Sequence, residues 1–149
     1  MSDYSWHIPD PETQPEFYAD VPVKRLLAWL VDTGIILAIC LLIVLFTAFI
    51  GLFFFPMLML AVGFAYRTVT IANRSATPGM QLFAIEFRTL RGERFDLPMA
   101  ALHTAMLTGS FLFPLIQLAS CVMMMTTPRA QGLSDLLLGT VAINRPAAR

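Results

Sequence analysis

The chain alternates between long charge-free stretches and short polar ones. After Asp32 no charged residue appears until Arg67, a gap of 34 residues, and a second charge-free stretch of 32 residues runs from Leu97 to Pro128. A membrane-crossing helix needs about 20 predominantly apolar residues. The first stretch, with the residues leading into it, therefore predicts two transmembrane helices. One runs from about Pro22 to about Thr47, the other from roughly Leu52 to Ile71, with a short turn at Gly51. Pro56 falls in the first turns of the second helix, where a missing N–H is tolerated. Trp29 stands where an interfacial anchor is expected. Gly34 and Ala38, four apart, offer a surface for close helix approach.

The stretch from Leu97 to Pro128 is interrupted by Gly109-Ser110 and Pro114. It can be one long helix, or two shorter ones that enter and return. The placement of charge bears on the choice. The ten Lys and Arg residues fall in three groups: Lys24 and Arg25; Arg67, Arg74, Arg88, Arg91 and Arg94; Arg129, Arg145 and Arg149. A single crossing puts the last group opposite the other two, whereas a return puts all on one side. The tendency of Lys and Arg to stay cytoplasmic favours the return.

Between these stretches the periodicity changes. Phe83, Ile85 and Phe87 alternate with Ala84, Glu86 and Arg88, which predicts a strand with one buried face. Arg91-Gly92-Glu93 supplies a turn, and Arg94-Phe95 is expected to begin a short returning strand. Near the end, a short helix through Asp135 should stop at Gly139. Thr140 to Ile143 is a second strand candidate, able to pair with 83–89 only if both lie on the same side of the membrane. Residues 1–20 are Pro-rich and acidic, with no Lys or Arg. They read as a solvated tail, disordered or lying on the surface, from which Trp6, Phe17 and Tyr18 reach the headgroup region. The division is thus a 1–20 tail and a 21–145 membrane domain. The predicted fold is a membrane all-α bundle: two full transmembrane helices plus a broken helical hairpin, with a small cytoplasmic β-element.

Composition agrees. Hydrophobic residues make up 57% and charged ones 13%, which is too apolar for a soluble domain of this length. The formal net charge is zero, so neither nucleic acid nor another polyanion is implied as a partner. Cys40 and Cys121 sit in apolar runs and read as small core- or lipid-facing residues. His7 and His103 show no ligand spacing, and His103 reads as a packing residue rather than a proton relay. No nucleophile elbow, phosphate loop, zinc motif or cofactor signature is present, so neither an enzyme nor a cofactor is expected.

The chemistry that remains is ionic. Arg25 and Asp32 are separated only by apolar residues. Seven residues are almost two helical turns, so the two share a face about 10.5 Å apart along the axis. That is too far for a direct bond, so a bridging group or separate partners are required. The face carrying them should look into protein. Two readings fit: the pair sets helix packing and insertion depth, or it lines an ion or solute pathway. Asp135 sits among Leu133, Leu136, Leu137 and Leu138, so its helix should pack on the bundle. Arg25 is its expected partner by depth, with Arg129 as the local competitor.

Arg25, Asp32 and Asp135, the last within Gln131-Gly132-Leu133-Ser134-Asp135, together with Thr77-Pro78-Gly79, resemble the pattern of the RDD family of small bacterial membrane proteins. The resemblance covers about residues 20 to 145. Two positions depart from it: Ser134 stands where the family often has His, and Met80 where it often has Lys. The resemblance implies a multi-pass protein of the bacterial inner (plasma) membrane, which with the charge argument puts both termini in the cytoplasm. It also implies a link to transport, cation–proton antiport having been proposed for some members. On that reading Asp32 carries a cation or proton, Arg25 holds it in register, and Asp135 gates the site. The segments leave little room for a pathway, so a homo-oligomer or other membrane proteins would be needed besides the lipid bilayer. The alternative is a non-catalytic accessory or assembly subunit in which the three residues form a structural clasp.

Overall fold

The computed structural model describes residues 8–145. Two long helices dominate, α1 (Val21–Phe46) and α2 (Phe55–Arg74). They are joined by a tight connection that includes a 3-10 turn over Ile50–Phe54. At about 1.5 Å per residue both reach the roughly 30 Å of a bilayer's hydrocarbon core. Each belongs to a helical run long and apolar enough to cross a membrane. A short α3 (Pro78–Leu82) leads into β1 (Ile85–Thr89). The second charge-free stretch is broken into α4 (Leu97–Leu112) and α5 (Pro114–Thr126), bent by 119° at Phe113. Then come α6 (Leu133–Leu138) and β2 (Thr140–Asn144).

The bend follows from the sequence. Pro114 stands at the first position of α5, where its ring sets φ and its missing N–H costs nothing, but it cannot continue α4. With 16 and 13 residues, the two pieces are about 24 and 20 Å long, each too short to cross alone. β1 and β2 pair antiparallel, with Phe87 opposite Ala142. Since β1 precedes the bent pair and β2 follows it, the pair enters and leaves at the same end of the bundle. The pair thus has the form of a broken helical hairpin.

The protein-buried core gathers at that end. Ala28, Ile71, Met80, Ile85, Phe87, Phe95 and Ala100 form one cluster where helices meet sheet. Farther along, Leu41, Leu45 and Phe46 of α1 and Phe53 and Phe54 of the connection are exposed, as lipid-facing residues are. α1 buries one stripe, Val21, Ala28, Asp32, Ile36, Cys40 and Val44, spaced as one helix face requires. Asp32 lies inside that stripe, on the face turned into protein.

Several expectations need correction. The returning strand at Arg94-Phe95 does not form. Phe95 instead stacks on Phe87, with ring centroids 5.1 Å apart, and its N–H donates to Ser75 Oγ at 3.0 Å. Among the described residues Gly34 does not mediate close approach, since a Cβ there would meet none of their atoms within 4 Å. The close contact is at Gly79, where a Cβ would lie 2.3 Å from the Ala28 carbonyl oxygen. The outward face of β1 is not solvated either. Glu86 is buried beneath Arg88, whose Nη2 is 2.5 Å from its Oε1, and Arg145, whose Nε is 3.5 Å from its Oε2.

The 1–20 segment is tied down where it is described. Ile8 and Tyr18 are buried against Val141 and Ile143, with Phe17 packed beside them. Asn144 Nδ2 donates to the carbonyls of Glu16 and Ala19, at 2.8 and 2.9 Å. Phe17 and Tyr18 therefore contact protein rather than headgroups, whereas Trp6 lies outside the described residues.

Candidate functional site

Two buried carboxylates organise the interior. Asp32 comes from the middle of α1 and is 1% exposed, while Asp135 comes from the first turn of α6 and is 0% exposed. Neither bonds to the other. Each has its own shell of donors.

Asp32 faces α2 and the start of α3. Oδ1 accepts from Tyr66 Oη at 2.9 Å and from the Gly79 N–H at 2.8 Å. Oδ2 accepts from Thr77 Oγ1, with Arg67 Nη1 at 4.0 Å. The local sequence explains the arrangement. Thr77-Pro78-Gly79 starts a helix: Thr77 Oγ1 caps it by accepting from the Met80 N–H at 3.2 Å. The same hydroxyl donates to Asp32, so one side chain ends a loop and ties it to α1. Gly79 lets the backbone come close enough for its N–H to reach the carboxylate. An added Cβ would sit 2.9 Å from Asp32 Cγ.

Asp135 joins three elements. Oδ2 accepts from Arg25 Nη1 on α1 at 2.5 Å and from the Gly132 N–H at 3.1 Å. Oδ1 faces His103 Nε2 on α4 at 2.9 Å and accepts from Thr140 Oγ1 at 2.9 Å. Burial by itself raises the Asp135 carboxyl pKa. The Arg25 guanidinium and the His103 contact outweigh it and hold the group well below the ordinary carboxylate range. Gly139, at φ +67°, turns the chain directly after α6, which brings Thr140 back over the carboxylate.

Of the three residues singled out from sequence, Arg25 and Asp135 are brought together and Asp32 is not. Arg25 and Asp32 have separate partners, one of the two arrangements the spacing allowed. Arg25, not Arg129, pairs with Asp135. His103 contributes beyond packing. It lies between Phe87 and Phe95, with ring centroids at 4.5 and 5.6 Å, and bonds Asp135 through Nε2. Among the described residues its Nδ1 has no hydrogen-bond partner. Tyr66, Arg67 and Thr140 were not legible as members of either shell. Arg67 carried a signal: it is the first charge after the apolar gap, at a depth in α2 comparable to that of Asp32 in α1. Thr77 carried another as a helix N-cap.

Between α1 and α5 a cavity of about 410 Å³ is lined by Arg25, Asp32, Arg67 and His103 among apolar side chains. A second, of about 420 Å³, lies between α1, α2 and α4. Trp29, Arg67, Leu107 and Phe111 line both. The Trp29 and Phe111 rings stack with centroids 5.5 Å apart and an interplanar angle of 16°.

No curated protein and no solved structure matches the chain. A sequence model of the RDD family matches residues 20–139, a span that carries both carboxylates and every donor to them except Thr140. The chain therefore belongs to the RDD family.

Proposed function

We propose that Arg25, Asp32 and Asp135 are structural clasps in a small, non-catalytic integral membrane protein that serves other membrane components as an accessory or assembly subunit. The supporting observation is the saturation of the carboxylates. Each ionised carboxylate offers about four lone-pair directions. At Asp135 four donors from the protein fill them, and at Asp32 three donors and a guanidinium surround the group. A carboxylate so engaged offers a passing cation no free oxygen without first breaking the fold around it. The clasp joins helix to cap: α1 to α3 through Asp32, and α1 to α4, α6 and β2 through Asp135.

The orientation we propose is that of a bacterial plasma-membrane protein with both termini cytoplasmic. All ten Lys and Arg residues can then share one side, as a bent pair that returns to its starting end permits. Homo-oligomerisation or a membrane-protein partner fits the small size of the bundle.

The transport reading keeps one observation in its favour, the cavity beside Arg25 and Arg67. A solute there meets guanidinium groups, so a small anion or polar solute fits that reading better than a cation. Thermal unfolding in detergent tests the clasp. Asp32→Asn and Asp135→Asn should each lower the unfolding temperature by several degrees, since each puts amide hydrogens against existing donors. Unchanged unfolding of both variants overturns the proposal.

A further inference from the structure

The cavity between α1 and α5 is unbalanced in hydrogen-bonding capacity. A guanidinium carries five N–H donors. Arg25 uses one of them on Asp135 and also lies 5.4 Å over the Phe87 ring. The Arg67 guanidinium donates no hydrogen bond among the described residues, its nearest carboxylate oxygen being 4.0 Å away. Both arginines are nearly buried, with side-chain exposures of 12% and 13%. The acceptors beside them are already taken. What the cavity lacks is an acceptor-rich, anionic group.

Apart from Asp32, Thr77, His103 and Gln117 its remaining walls are apolar, and its rim includes Val23, Leu26 and Met125, which are 57%, 58% and 76% exposed. These belong to the outer surfaces of α1 and α5, so the cavity opens sideways, towards lipid. Arg25 lies only four residues inside the start of α1, at headgroup depth. A water-borne anion would have to pass the apolar rim, whereas a lipid already lies along it. Its volume of about 410 Å³ is within the roughly 300–1,000 Å³ of small-molecule sites. Basic pockets between membrane helices are suited to anionic headgroups.

We propose that this cavity binds an anionic phospholipid of the surrounding bilayer, with its phosphate against Arg25 and Arg67 and one acyl chain along Leu107, Phe111 and Met125. The site is separate from the clasps in its test: the clasps are read from unfolding of the Asn variants, the lipid site from lipid preference.

Trp29 lines the cavity and is one of only two tryptophans, so Trp6→Phe leaves it as the sole indole reporter. The full chain with that substitution is placed in phosphatidylcholine vesicles. Lipids brominated on the acyl chain are then added at a low mole fraction, as phosphatidylglycerol or as phosphatidylcholine. Brominated phosphatidylglycerol should quench Trp29 at about one-fifth the mole fraction that brominated phosphatidylcholine requires, the preference one added cation gives near an anionic surface. Arg67→Gln should abolish the difference. Cys121→Phe, which narrows the apolar half and leaves both arginines in place, should reduce quenching by phosphatidylglycerol and so keeps the test decisive if Arg67→Gln fails to fold. Equal quenching by the two lipids in the parent overturns the proposal, as does a preference that survives both substitutions. Loss of the preference on adding inorganic phosphate assigns the site to a soluble anion and also overturns it.

Discussion

Arg25 Nη1 lies 2.5 Å from Asp135 Oδ2, although 110 positions separate the two residues in the chain. The contact fastens the beginning of the first membrane helix to the last helix before the closing strand. It shares Asp135 with His103, Thr140 and the Gly132 backbone. A charge swap is therefore a poor test. Arginine at 135 would restore the ion pair but face the remaining donors. A double-mutant cycle is cleaner. Asp135→Ala should destabilise the protein by about 3–5 kcal/mol, the cost of breaking a buried pair. Arg25→Gln should cost less, because the carboxylate keeps its other donors. The two effects measured together by denaturant unfolding should be clearly less than additive.

The glycines give a contrasting pair. Gly79→Ala forces a methyl to within 2.3 Å of the Ala28 carbonyl oxygen. It should push α3 off α1, cost at least about 1–3 kcal/mol as overpacking does, and lower accumulation in the membrane. Gly34→Ala meets open space and should be neutral, or stabilising by up to about 1 kcal/mol through helix propensity. Unfolding midpoints of the two variants, measured side by side, check this.

How much of this was legible in the sequence depended on range. Period and charge gaps located the helices, because lipid demands long apolar runs whatever the tertiary fold. The alternation at 83–88 and the stop at Gly139 placed β1, α6 and β2 within a few residues. Asp32 and Asp135 stood out because a lone carboxylate among leucines requires partners. Which partners was harder to read. Tyr66 and Thr140 are ordinary residues until folding brings them to a carboxylate, and no local pattern marks them. The returning strand at Arg94-Phe95 was misread because two residues carry too little periodicity. Gly34 was misread because a small-residue pair does not reveal which face of a helix meets protein.

The depressed Asp135 pKa gives a pH dependence of definite sign. A carboxyl held lower in the folded than in the unfolded state contributes its full stabilisation above the unfolded value, about 3.9. That contribution is lost as pH falls through the lower folded value. The gap in unfolding temperature between the parent and Asp135→Asn should therefore narrow as pH is lowered from about 5 to about 3. A gap that widens over that range contradicts the assignment of Arg25 and His103 as the groups that hold Asp135 ionised.

Topology is open to labelling. With Cys40 and Cys121 replaced, cysteines are introduced at Phe49, Glu93 and Arg145, all exposed positions. An impermeant maleimide applied to intact cells should label position 49. Positions 93 and 145 should react only after permeabilisation. Labelling of 145 from outside would mean that α4 and α5 together cross the membrane once, against the pairing of β1 with β2.

The central claim is that both carboxylates are held by the protein and carry nothing. Proton flux driven by a sodium or potassium gradient, in proteoliposomes containing the purified full chain, tests it most directly. The clasp account predicts flux no greater than in protein-free vesicles, both for the parent and for Asp32→Asn. Cation-dependent flux in the parent that disappears in a folded Asp32→Asn protein would make Asp32 a carrier and contradict the account.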